Sequence, residues 1–133
     1  MVADQLSILL VDDSRSVLAQ LEGLLSDMDG AHVVGVARDG GEAIRMVAEL
    51  HPDLVLMDIV MPRMDGMAAL RVLRANHPHV NVAMLSSVGG TASRAEECFR
   101  LGAVQVIGKP LDDRILESLV ESVRLGLERG NDQ

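Results

Sequence analysis

Short apolar runs alternate with amphipathic stretches along the chain. The runs are Ser7–Val11 (SILLV), His32–Ala37 (HVVGVA), Leu54–Asp58 (LVLMD), Val82–Ser86 (VAMLS) and Val104–Gly108 (VQVIG). Each is short and rich in Val, Ile or Leu, which predicts a strand. Between them, apolar residues recur at spacings of three and four, the mark of a helix with one buried face. Val17, Leu21, Leu24, Leu25 and Met28 form the first stripe, and Ala43, Ile44, Val47, Ala48 and Leu50 the second. Met67, Leu70 and Leu73 belong to a third, Ala95, Cys98 and Phe99 to a fourth, and Ile115, Leu116, Leu119, Val120, Val123 and Leu127 to a fifth. Gly30, Gly102 and Gly130 stand where helices would end, and Pro52, Pro78 and Pro110 punctuate the connections.

Strictly alternating strands and helices predict an α/β domain with a parallel sheet. Central strands of such a sheet are buried on both faces and read as continuous apolar runs. The first, third and fourth runs fit that description. Gly35 interrupts the second and Gln105 the fifth, so those are expected at the edges. A right-handed doubly wound sheet of order 2-1-3-4-5 satisfies this. Its topological switch point then lies beyond the carboxyl ends of strands one and three, where ligands bind in such sheets.

The 133 residues suit a single domain spanning 1–133, with a frayed polar tail over about 128–133. No apolar run is long enough to cross a bilayer, and the N-terminus lacks the basic start of a signal peptide. A single cysteine excludes an internal disulfide framework and predicts a cytoplasmic setting. The formal net charge of −8 argues against direct binding to nucleic acid or an anionic membrane. With no Trp or Tyr and only Phe99, base stacking is nearly excluded.

The switch point collects chemistry. Run one ends in Asp12 and Asp13, run three in Asp58, and run four in Ser86; run five leads into Lys109-Pro110. Lys109 is the only lysine among 12 basic residues. Each residue alone has an ordinary role: a helix cap, a turn, a buried hydroxyl, a surface cation. Together they do not, because converging carboxylates repel and require a compensating cation. Clustered carboxylate oxygens suit Mg²⁺. A metal and a lysine offset repulsion between a carboxylate nucleophile and an anionic phosphate.

The segments VDDS at 11–14, LVLMDIVMPRMDG at 54–66, MLSS at 84–87 and GKP at 108–110, in this order, resemble the receiver (CheY-like) domain of two-component response regulators. The resemblance covers essentially the whole chain and implies a flavodoxin-like fold. It implies Asp58 as phosphoacceptor, with Ser86 as the switch hydroxyl and Lys109 pairing with the phosphoryl group. It implies Mg²⁺ held by Asp13, Asp58 and the backbone carbonyl of Val60, with Asp12 acting through water. It implies a cis peptide at Lys109-Pro110 and a turn at Gly66. A histidine kinase or phosphotransfer protein would supply the phosphoryl group, and phosphorylation would control a downstream protein or output domain. The domain would then be no enzyme beyond its own phosphorylation and dephosphorylation. A stand-alone chemotaxis-type regulator and the receiver of a larger protein are both open.

The alternative is a Mg²⁺-dependent phosphohydrolase with an Asp nucleophile, but the position two beyond Asp58, where such enzymes carry an acid, is Val60. One departure from the receiver pattern concerns output: the aromatic switch usual in strand five is replaced by Val106. Gly89-Gly90 predicts either a mobile loop or a plain turn after strand four. His32, His51, His77 and His79 lack metal-ligand spacing and are expected at the surface. The methionines at 57, 61, 64 and 67 are expected in packing, and Cys98 as a buried thiol.

Overall fold

The computed structural model describes residues 5–87 and 92–131. The elements are β1 (Leu6–Val11), α1 (Arg15–Ser26), β2 (Ala31–Ala37), α2 (Gly40–Leu50), β3 (Leu54–Asp58), α3 (Gly66–Asn76), β4 (Asn81–Ser86), α4 (Ala92–Arg100), β5 (Gln105–Gly108) and α5 (Asp113–Asn131). All strand pairings are parallel and the order is β2-β1-β3-β4-β5, as the continuity of the apolar runs predicts. β3 is buried throughout, whereas the edge strand β2 is mostly half-buried and slips register between Ile8 and Leu9.

Alternation along each strand feeds two cores. Leu9, Val11, Val55, Met57, Val82 and Met84 pack with residues of α2, α3 and α4 on one face. Leu6, Ile8, Leu10, Leu54, Leu56 and Leu85 meet α1 and α5 on the other. A sheet buried on both faces leaves polar side chains room only at its ends, and the carboxyl ends of all five strands share one edge.

Helix starts are set locally. The side chains of Ser14, Asp39 and Asp65 accept the N–H of Val17, Glu42 and Ala68 at the first turns of α1, α2 and α3. α4 closes on Gly102, at φ 104°: the N–H of Gly102 donates to the Phe99 carbonyl and that of Ala103 to the Cys98 carbonyl. That is the left-handed cap its glycine predicts.

Several sequence expectations fail at the margins of the helices. Phe99 lies on the expected core stripe of α4 but is 49% exposed, because Cys98 is the residue that α4 buries. Ala48, Leu50 and Ile115 are also exposed at the rims of their stripes. Leu18, absent from the predicted stripe, is buried beside Leu21 and Leu25. Gly30 is not the cap of α1, which ends at Asp27; it turns the chain at φ 87° and its carbonyl accepts the Leu6 N–H. Gly130 ends no helix: α5 runs through to Asn131, into the segment expected to fray. The Gly89-Gly90 loop and Val88 lie outside the described residues.

Candidate functional site

Asp12 is fully buried at the end of β1. Its N–H donates to the Ala37 carbonyl of β2, so the sheet ladder continues to the carboxylate-bearing residue. Its Oδ1 accepts the Ser14 N–H at 2.9 Å and its Oδ2 accepts Lys109 Nζ at 3.0 Å. Asp12 therefore caps nothing; Ser14 caps α1, and Asp12 orients the turn that leads to it. Asp13, the next residue, is exposed.

Asp58 ends β3 and is 6% exposed. Its Oδ1 accepts the Val60 N–H at 3.3 Å, and its Oδ2 lies 3.4 Å from Lys109 Nζ. The chain then turns to α3, where Gly66 donates its N–H to the Ile59 carbonyl at 2.8 Å. A Cβ at Gly66 would collide with the Asp58 carbonyl, so only glycine allows α3 to begin this close to the strand end. The turn at Gly66 is where the sequence places it.

Lys109 follows β5, its N–H donating to the Ser86 carbonyl at 2.8 Å, and the Lys109-Pro110 peptide is cis as expected. Its ammonium bridges Asp12 and Asp58. Ser86 reaches the same sheet edge, but its hydroxyl donates to the Ser87 carbonyl at 3.4 Å rather than joining the carboxylates. Val60 is 56% exposed, so an apolar side chain stands at the rim of the site.

The electrostatics follow from this packing. Burial pushes the Asp58 carboxyl above its ordinary range, and the Asp12 charge pushes it further; Lys109 and the Val60 N–H pull only part of the way back. Burial opposes the charge on Lys109, yet the Asp12 hydrogen bond and the Asp58 and Asp12 charges raise its pKa. One ammonium thus serves a site with three carboxylates. One oxygen each from Asp12, Asp13 and Asp58 lie within 4.8 Å of one another. Hard oxygen donors of this number and charge fit a small divalent cation such as Mg²⁺.

The family model for the response regulator receiver domain matches residues 8–121. The chain belongs to the response regulator receiver domain family. The receiver domain is 35% identical over 120 residues to the chemotaxis protein CheY of Listeria monocytogenes, covering 90% of this chain and 99% of that protein. It is 40% identical over 109 residues to protein-glutamate methylesterase/protein-glutamine glutaminase 5 of Myxococcus xanthus, covering 82% of this chain but 31% of that protein. The chain therefore spans about a third of the length of such methylesterase relatives. Among solved structures it is similar to the response regulator domain of Thermotoga maritima CheB, with a TM-score of 0.78, 34% identity and coverage of 91% and 95%. It is also similar to a chain of the CheX–CheY–BeF₃–Mg²⁺ complex of Borrelia burgdorferi, with a TM-score of 0.82, 32% identity and coverage of 89% and 88%. The receiver fold and its place in two-component signalling agree with the sequence resemblance. Among the described residues no helix is long and apolar enough to cross a membrane.

Two arginines beside the site escaped the sequence reading. Arg38 donates to the Asp13 carbonyl at 3.2 Å, and Arg63 Nε pairs with Asp39 Oδ2 at 3.2 Å. Their only sequence signal is position, immediately after β2 and within the turn after β3.

Proposed function

We propose that this receiver domain is a phosphorylation-dependent switch that accepts a phosphoryl group on Asp58. The observation that carries the proposal is the bridge made by Lys109 between Asp12 and Asp58 within a cluster of three carboxylates. Asp58 Oδ attacks phosphorus in line, the bond from phosphorus to the donor's leaving atom breaks, and the leaving group departs with that electron pair. Lys109 follows the charge onto the phosphoryl oxygens, and the Ser86 hydroxyl, freed from the Ser87 carbonyl, donates to one of them. Asp13, Asp58 and the Val60 carbonyl would hold Mg²⁺, with Asp12 acting through water; the ion supplies charge neutralisation between carboxylate and phosphate. BeF₃ and Mg²⁺ in the Borrelia CheX–CheY complex support the same chemistry here.

The donor is a histidine kinase or phosphotransfer protein in the cytoplasm. The target is a chemotaxis component or an output domain, in keeping with the CheY and methylesterase relatives. Intact-mass spectrometry with acetyl phosphate tests the site. One added phosphoryl group is expected with Mg²⁺, and none in EDTA or in Asp58→Asn. Labelling that survives both controls, or multiple turnover of p-nitrophenyl phosphate, overturns the assignment.

A further inference from the structure

The corner between β2 and α2 is tied to both loops that carry the carboxylate site. On one side, Arg38 Nη2 donates to the Asp13 carbonyl at 3.2 Å, and the Asp12 N–H donates to the Ala37 carbonyl at 3.1 Å. On the other, Arg63 pairs with Asp39, and the Gly40 N–H donates to the Met64 carbonyl at 3.1 Å. A Cβ at Gly40 would stand 2.7 Å from that carbonyl, so the second contact is a close backbone approach. The corner is itself firm: Asp39 caps α2 through the Glu42 N–H, and Glu42 Oε1 accepts the Arg38 N–H, both at 2.9 Å.

Asp12 and Asp58 have Lys109 to hold them, whereas Asp13 is exposed on its loop. Anchoring the Asp13 carbonyl restrains the backbone at Asp13, and so limits how far the loop can swing its carboxylate away from those of Asp12 and Asp58, which it meets within 4.8 Å. We infer that Arg38 is a positioning residue for Asp13: it straps the β1–α1 loop to the β2–α2 corner so that the Asp13 carboxylate is already aimed at the cation. This rests on the reading of the site as Mg²⁺-dependent. Asp39 keeps its charge readily, because the Glu42 N–H bond, against some burial, and the Arg63 charge hold its carboxyl below the usual range. On the Arg63 side the backbone contact of Gly40 with the Met64 carbonyl ties the corner to the β3–α3 turn independently of Arg38.

The test uses Arg38→Met, which keeps length and removes the donor, and Arg38→Lys, which restores one. Loss of free Mn²⁺ signal in electron paramagnetic resonance gives metal affinity without an aromatic reporter. The acetyl phosphate reaction, followed by mass against Mg²⁺ concentration, gives a half-saturating concentration and a saturating rate. Loss of one hydrogen bond of ordinary strength predicts a rise of roughly fivefold in both the Mn²⁺ dissociation constant and the half-saturating Mg²⁺ for Arg38→Met. The saturating rate is unchanged, a split that general loosening of the fold does not produce. Arg38→Lys falls between Arg38→Met and wild type. Metal binding by Arg38→Met within twofold of wild type, or Arg38→Lys no better than Arg38→Met, overturns the role of Arg38 alone. A wild-type protein that takes up no Mn²⁺ overturns the Mg²⁺ reading of the site, and this inference with it.

Discussion

At the scale of single residues, Asp58 gives up its proton less readily than an exposed carboxyl does. Burial first, and Asp12 second, raise its carboxyl above the ordinary range. A carboxyl raised in the folded protein binds protons there before it does in the unfolded chain. The metal-free fold therefore loses stability as pH rises from the ordinary carboxyl range through the folded value, and regains it as pH falls. Asp58→Asn removes that charge at nearly constant shape. In EDTA at neutral pH it is expected to unfold at a higher temperature than wild type, and the gap should narrow as pH falls and wild-type Asp58 protonates. Thermal unfolding by circular dichroism across pH checks this; a lower Tm for the variant at neutral pH would show that the Lys109 pairing outweighs burial. Val60 makes a second case. Its exposed side chain cannot orient water at the rim of the acceptor. Val60→Glu introduces a carboxylate that can, and roughly a tenfold shorter phosphorylated lifetime is expected, modest beside the usual range for a general base. Phosphate release after removal of the donor measures it, and equal lifetimes count against the account.

At the scale of elements, the junctions matter more than the propensities. Gly66 and Gly23 are both helical, yet their substitution should act in opposite directions. Alanine at Gly66 drives a methyl into the Asp58 carbonyl, a backbone atom that cannot swing aside, and a loss of about 3 kcal/mol is expected. Gly23 lies inside α1 with nothing within 4 Å of an added Cβ, so alanine there should gain about 1 kcal/mol. Urea unfolding separates the two. The same contrast explains what could be read from the chain. Strand order was legible because it follows from which apolar runs are unbroken. The carboxylate cluster was legible because parallel topology sends every strand's carboxyl end to one edge. Phe99 was misplaced because α4 is short and buries Cys98 alone among its described apolar positions, so a neighbouring residue on the same stripe falls outside the contact. Arg38 and Arg63 were missed because exposed arginines in polar turns carry no periodic signal. Their partners lie on other elements, 25 and 24 residues away in sequence.

At the scale of the molecule, the question is how a charge at Asp58 is felt elsewhere. In the receiver pattern that the sequence resembles, the signal passes through an aromatic ring on strand five, which fills the space vacated when the switch hydroxyl moves. Here that position is Val106, half-buried and packed against the α2–α3–α4 core. Its β-branched side chain has few rotamers and a short reach, so rotation at 106 displaces little surface. A different route is available on the same side of the sheet. Ser86 ends β4 with its hydroxyl on a weak local bond, and the chain passes from there to α4. α4 buries Cys98 and presents Phe99, the only aromatic residue of the protein, to solvent. A shift of Ser86 toward a phosphoryl group at Asp58 would move the start of α4 and carry Phe99 with it. Beryllofluoride with Mg²⁺ should therefore change amide exchange across residues 86–100, while β5 and α5 keep their protection. Exchange that changes chiefly around Val106 and along α5, with 86–100 unaltered, would show that strand five carries the signal without its aromatic ring.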